Sequence, residues 1–211
     1  MENSIAIIFL VVVIGLVVVF LLSLIADRLQ KLFRIHVETP EKQAGRMGER
    51  IATAVISEVL REEDTLLTNV PVYYDGKQTE LDNVIINSNG VFIIEVKNLR
   101  GVLSGDEESF DWIQTKSSSA GEFYQKTVKN PIGQVKRQIY ILSKFLQEKD
   151  VHVWIEGYVF FVERNSPIKS GYILETRRDI DRAIHRSGQQ KLSKREQQFI
   201  GTVLLSSGDI L

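Results

Sequence analysis

No cysteine occurs among the 211 residues, and histidine occurs only three times. Disulfides, thiolate nucleophiles and cysteine-built zinc sites are thereby excluded. His36, His152 and His185 lie far apart in sequence, so they read as surface or internally satisfied side chains rather than as a zinc centre. The chain also lacks a G-x-x-x-x-G-K-[ST] phosphate loop and a G-x-S-x-G nucleophile turn, which argues against an NTP-driven motor and against serine hydrolysis. Neither sign of charge is in excess. With 26 Lys and Arg against 27 Asp and Glu, no overall field draws the molecule to nucleic acid or anionic lipid. Two segments are locally basic, with nine cations against five acids from Glu163 to Glu196 and six against one from Lys126 to Lys149. They fit phosphate-facing patches, but solvated helix faces give the same counts, and that plainer reading is preferred. Internal repeats and low-complexity tracts are missing as well, as is any N-x-S/T glycosylation acceptor, which together with the absent cysteines fits a reducing compartment.

What the chain does have, at its start, is apolar length. From Ile5 to Ala26 there are 22 residues without a charge. As a helix they would extend ~33 Å, enough to cross the hydrocarbon core of a bilayer. A cleaved signal peptide would need a basic leader and a small-x-small cleavage site; Met1-Glu2-Asn3-Ser4 and Ser23-Leu24-Ile25-Ala26 supply neither. The expectation is an uncleaved single-pass anchor in the cell membrane. Arg28, Lys31 and Arg34 follow the span and no basic residue precedes it, so the C-terminal side is expected in the cytoplasm.

Asp27 to Gln43 is polar and carries Pro40, which reads as a linker. From Gly48 to Arg61 apolar residues recur at helical spacing, and Glu49 falls in phase with Ala52, Ile56, Val59 and Leu60, so its carboxylate is expected on the core side. Val70 to Tyr74 is strand-like but holds Pro71, as an edge strand tolerates. Asp75-Gly76 marks a turn. Leu81 to Ile86 and Val91 to Val96 are β-branched runs joined by Asn87-Ser88-Asn89-Gly90, a hairpin pattern. Neither alternates cleanly, as expected of strands covered on both faces. Gly101 to Ser119 suggests a short hairpin and then a loop, with Ser117 to Gly121 expected to be mobile; Asn130-Pro131 caps and opens a helix carrying Val135, Ile139, Leu142 and Leu146. Val151 to Val162 reads as a second buried strand, interrupted at Gly157. Thr176 to Arg186 reads as a helix, and Ser193-Lys194-Arg195-Glu196 is a capping box for another. Trp112, Trp154, Phe160 and Phe161 read as core. This order predicts a three-layer α/β fold with a mixed central sheet flanked by helices.

One cluster carries chemistry. If the hairpin turns over residues 87–90, Ile86 pairs near Val91 and Asp82 comes opposite Glu95, while strand alternation puts Glu95 and Lys97 on one face. Two carboxylates and an ammonium at the end of buried strands are costly unless paired or bound to a metal. Such a pair suits Mg2+, which takes oxygen ligands and keeps waters; Lys97 would stabilise charge on a phosphate or help deprotonate a water. The plainer reading is a structural triplet that fixes the hairpin's register. Both stay open on spacing alone.

Gly48-Glu49-Arg50, Leu81-Asp82-Asn83-Val84-Ile85-Ile86, the run Asn89 to Asn98 containing Glu95-Val96-Lys97, then Gly101, Trp112 and Asn130-Pro131-Ile132-Gly133-Gln134 together resemble the nuclease-related domain (NERD) family, itself similar to the restriction-endonuclease-like superfamily with its D…ExK core. The resemblance runs from about Gly45 to Val162. It implies a restriction-endonuclease-like fold, Asp82 and Glu95 as ligands of Mg2+ or Mn2+, Lys97 as the catalytic lysine, and support from Glu49 and Gln134. Leu81 departs from the pattern, standing where a proline often precedes the aspartate. The expected organisation is an anchor at 1–26, a juxtamembrane linker at 27–44, the nuclease-like domain at 45–164 and a helical extension at 165–211 packed on it. The expected activity is metal-dependent hydrolysis of nucleic acid, DNA before RNA. The rival is a catalytically silent module that binds nucleic acid or protein at the membrane.

Overall fold

The computed structural model describes residues 14–26, 28, 39–118, 120–163, 168–186 and 190–207. The chain divides into two units, Met1–Lys42 and Gln43–Leu211. In the first, residues 14–26 form a helix, α1, whose apolar side chains, Leu16, Phe20 and Leu22 among them, are exposed. Among the described residues no helix is long and apolar enough to cross a membrane. Residues 5–13 of the expected span lie outside the described residues, as do Lys31 and Arg34 of the basic cluster.

The first helix with buried residues is α2, Pro40–Ser57, which starts and ends earlier than its apolar spacing predicts. Its opening residues are exposed, so they carry no apolar periodicity, and Pro40 suits a first helical turn. Beyond Ser57 the chain turns, with the Asp64 carboxylate accepting from Arg61 N–H at 2.8 Å.

The main sheet begins with β1 (Thr65–Tyr74), β2 (Lys77–Asn87) and β3 (Gly90–Lys97), paired antiparallel in sequence order. Pro71 sits on β1, the edge strand, where a missing N–H leaves no ladder bond unmade. Asp75 and Gly76, at φ 47° and 70°, form a two-residue turn whose left-handed backbone matches the twist of the strands. At the next turn Asn87 pairs with Gly90, and the Asn87 side chain accepts from Asn89 N–H at 2.8 Å. A smaller antiparallel sheet follows: β4 (Val102–Ser104), β5 (Asp111–Ser117) and β6 (Phe123–Lys129). Ser117, expected in a loop, ends β5.

Helix α3 (Pro131–Gln147) then leads to β7 (Ile155–Phe161), which pairs parallel with β3. Gly157 does not interrupt β7. A Cβ there would stand 2.4 Å from Val135 Cγ1, so the glycine admits α3 close to the sheet. The last strand, β8 (Ile173–Leu174), pairs parallel with β7 and completes the order β1-β2-β3-β7-β8. Helices α4 (Arg177–His185) and α5 (Lys194–Ser206) open on capping boxes at Thr176/Asp179 and Ser193/Glu196.

The sheet is mixed and covered on both faces, as expected. On one face Ile141, Leu142 and Phe145 of α3 and Ile200 and Leu204 of α5 pack on Leu81, Val84, Ile86, Val91 and Ile93. On the other, Ala52 and Ile56 of α2 and Ile180 and Ile184 of α4 pack on Ile85, Phe92, Ile94 and Tyr158. Trp112 and Phe161 are stacked in a third core beneath the small sheet. Trp154, expected inside, is half exposed. His185 is an internally satisfied histidine, its two ring nitrogens 2.8 and 2.7 Å from Asp64 and Asp181 carboxylates.

Candidate active site

Strand pairing places the site. The β2–β3 register, Ile86 opposite Val91 and Asn83 opposite Ile94, continues to Asp82 opposite Glu95, but the ladder stops at Asn83. Pairing with β1 also skips Asp82, whose opposite number Asn69 adopts a left-handed φ of 52°. The strands therefore part at this point, and Val96 N–H is taken up by the Asp82 carboxylate at 2.7 Å. This bond fixes Asp82 at the end of the hairpin, on the strand that adjoins the Glu95-Val96-Lys97 run.

Glu95 is 3% exposed, and a buried carboxylate survives only if its charge is answered. One oxygen accepts from Lys97 Nζ at 2.5 Å and from Gln134 Nε2 at 2.6 Å; the other accepts from Gln138 Nε2 at 2.7 Å. Both glutamines come from the first two turns of α3, at the i, i+4 spacing that stacks side chains on one helix face. Asn130 caps that helix through Ile132 N–H, at 2.9 Å, which sets the phase in which the glutamines arrive.

Asp82 lies among like charges. Burial pushes its carboxyl up to about 7, and repulsion from Glu95 and Glu49 adds to this, against the opposing pull of Val96 N–H and Lys97. Glu49 is half-buried on α2 and is held near by two ties that bracket it. Before it, a Cβ on Gly48 would come within 2.5 Å of Asn98 Cβ, and Asn98 donates to Ala44 O at 2.7 Å. After it, Thr53 Oγ1 donates to Asn83 Oδ1 at 3.0 Å. The glycine thus lets the helix touch the chain just past Lys97.

All five residues expected at the site fall in this neighbourhood, in two arrangements. Glu95, Lys97 and Gln134 form one bonded cluster; Asp82 joins it through Val96, and Glu49 joins only through charge. Gln138 was not among the expected residues, yet it is fully buried and bonds both Glu95 and Glu80 O, leaving its Oε1 without a partner. The signal was its spacing: a glutamine four residues after Gln134, facing the same way as Ile141 and Phe145, belongs to a buried stripe. Among the described residues there is no group of three or more His, Cys, Asp or Glu side chains placed to hold a metal ion. The donor set on offer is a pair of carboxylates. A hard, partly hydrated cation needs no more than one or two of these.

Beside the cluster opens a cavity of about 570 Å³, lined by Gln134, Phe110, Lys129 and Arg137 among others.

A family model described as NERD, the nuclease-related domain, matches residues 44–162 and so includes every residue of the cluster. An uncharacterized protein of Bacillus anthracis is 34% identical over 116 residues, which make up 52% of this chain and 53% of that protein. The chain thus spans about half the length of this relative.

Proposed function

We propose, starting from the fact that the chain belongs to the nuclease-related domain family, that it is a membrane-tethered, metal-dependent nuclease of restriction-endonuclease-like architecture that hydrolyses phosphodiester bonds. The observation that carries this reading is the bonded cluster: Asp82 brought opposite Glu95 where two strands part, with Lys97 on the same carboxylate. A divalent cation, Mg2+ or Mn2+, would be held by Asp82 and Glu95. It would polarise the phosphate and lower the pKa of a bound water. Two crowded carboxylates, one of them raised to about 7 by burial and by the charge of its neighbour, fit that role.

The chain's own groups divide the remaining work. Val96 N–H orients Asp82. Gln134 and Gln138 orient Glu95 and, being neutral, do so without cancelling its charge. Lys97 bonds Glu95 and is a quarter exposed, so its ammonium can also meet an incoming phosphate; it answers charge that grows on the phosphoryl oxygens or assists deprotonation of the attacking water. Residues 5–26 would anchor the chain, with the Gln43–Leu211 unit in the cytoplasm.

The rival is a silent binding module. It is favoured by the two oxygens of Glu95 being already occupied by three N–H donors. The full chain, incubated with labelled DNA and RNA in Mg2+, Mn2+ or chelator, separates the two. Cleavage, stronger on DNA, should fall by orders of magnitude on chelation and in Asp82→Asn and Lys97→Ala, because each acts on charge developed in the transition state. Undiminished cleavage by folded Asp82→Asn would refute the assignment, and no cleavage by any form would leave the binding module. Protease added outside intact cells should leave the Gln43–Leu211 unit uncut; cleavage within it would overturn the topology.

A further inference from the structure

We propose that the cavity between Phe110 and the start of α3 is a nucleotide subsite, seating an unpaired base and its phosphate beside the scissile bond and so selecting single-stranded or frayed substrates. This rests on the nuclease reading for its position, though not for its chemistry. Three observations converge on it.

The first is an aromatic ring that is exposed and yet held. Phe110 is 78% exposed, which burial cannot explain. The loop that carries it is nevertheless tied down: Asn130 Nδ2 donates to Glu107 O at 2.8 Å and Ser109 O at 2.7 Å, Trp112 Nε1 donates to Asp106 O at 2.9 Å, and Asn130 N donates to Phe110 O at 3.2 Å. A loop tied down from behind presents the ring with little backbone freedom left to lose on contact, which suits a stacking platform.

The second is charge. Lys129 Nζ lies 3.9 Å from the centre of the Phe110 ring and 3.0 Å from the Asp111 carboxylate. Across the cavity Arg137 is exposed and has no carboxylate partner among the described residues. The two acids of the wall, Glu107 and Glu108, already face Lys136 at 3.6 and 2.9 Å. The cation left over is therefore Arg137, and its planar fork suits a phosphate.

The third is continuity and size. Gln134 lines the cavity and also donates to Glu95 at 2.6 Å, so a group seated there adjoins the cluster directly. About 570 Å³ lies within the range of sites for small organic groups, ~300–1,000 Å³. A base inside a duplex has both faces covered by its neighbours and cannot stack on the Phe110 ring; an unpaired one can.

The test is binding without turnover. The full chain in chelator is titrated by fluorescence anisotropy with a labelled single-stranded oligonucleotide and with a blunt, fully paired, loop-free duplex. Phe110→Ala and Arg137→Ala should each weaken the single strand about tenfold, in the range that stacking and phosphate contacts supply, and leave the duplex within about twofold. Phe110→Trp should restore the single strand. Under metal, KM for single-stranded substrate should rise in Phe110→Ala with kcat little changed. Unaltered single-strand affinity in folded Phe110→Ala would overturn the proposal, as would equal losses on both ligands, which would reduce the cavity to general electrostatics. Because affinity is read without metal, selective loss in Phe110→Ala alongside undiminished cleavage by Asp82→Asn would sink the nuclease reading and keep the subsite.

Discussion

Asp82 pays for its position in proton affinity, and the sign of that cost can be worked out. In the unfolded chain its carboxyl titrates near its ordinary value; in the folded, metal-free domain it is pushed up to about 7. Below both values it is neutral in either state and costs nothing. Between them the unfolded chain sheds the proton that the folded one keeps, so stability falls as pH rises, and above about 7 the whole penalty is felt. Asp82→Asn removes the charge. In chelator, the difference in Tm between Asp82→Asn and wild type should be small near pH 4 and should grow in the variant's favour up to about pH 8. Added Mn2+ should stabilise wild type and not the variant; a difference that shrinks with pH would refute the assignment. Gln138 makes the complementary case. Gln138→Leu removes a donor from a buried carboxylate oxygen and should cost about 1–3 kcal/mol in urea unfolding, since an unsatisfied buried acceptor is the expensive half of a lost bond. Gln134→Ala should cost less, because Gln134 is only half-buried and water can replace it. Asp82, Glu95 and Lys97 were legible in the sequence because hairpin register and strand alternation are local arithmetic. For Gln138 the spacing signalled burial, but its bond to Glu95 was not legible, because that depends on how α3 docks on the sheet.

At the scale of elements, what was legible followed burial. β2, β3, β7 and α3 announce themselves through apolar runs, and the capping box at Ser193 and Glu196 marks the start of α5. β6 could not be read this way: six of its seven residues are exposed, so nothing alternates, and only pairing with β5 makes it a strand. β8 is two residues long and owes its existence to β7. The opening turns of α2 are polar and were read as linker for the same reason. Gly157 was read as an interruption because glycine weakens strands, whereas in the fold it is the point of closest approach between α3 and the sheet. Gly157→Ala should therefore behave as an overpacked core, destabilising by about 1–3 kcal/mol despite alanine's better backbone propensity. Gly171→Ala, with open space around it, should stay within about 0.5 kcal/mol. Since Val135 and Ile139 bear on Gly157 from the helix that also supplies Gln134 and Gln138, the Gly157→Ala protein should lose activity beyond its loss of stability. A catalytic rate that stays at the wild-type value in the folded fraction would show that α3 can shift without disturbing Glu95.

For the whole molecule, the family match ends at residue 162 but the packing does not. Leu174 and α4 close the core that α2 shares with β3, through Ile180, Ala183 and Ile184. Leu192 and α5 close the other through Ile200 and Leu204, which pack on Val70, Leu81 and Ile86. Ser207 ties the end of α5 to β1, its Oγ donating to Pro71 O at 2.7 Å, and Leu192 N donates to Ser88 O in the turn of the hairpin that carries the site. Buried leucines and isoleucines are worth ~1.5–3 kcal/mol each, so removing Leu174, Ile180, Ile184, Leu192, Ile200 and Leu204 would forfeit on the order of 10 kcal/mol. That is as much as a domain of this size has to lose. Segment 43–162 expressed alone should therefore fail to give a cooperative melt, should bind hydrophobic dye and should aggregate, whereas 43–207 should melt in one transition. Restoring 163–207 as a separate chain should recover little, because two chains must then meet at the entropic cost of association. A cooperatively folded, monomeric 43–162 fragment that still binds Mn2+ would show that the matched segment is self-sufficient and that β8, α4 and α5 are an addition to a finished domain.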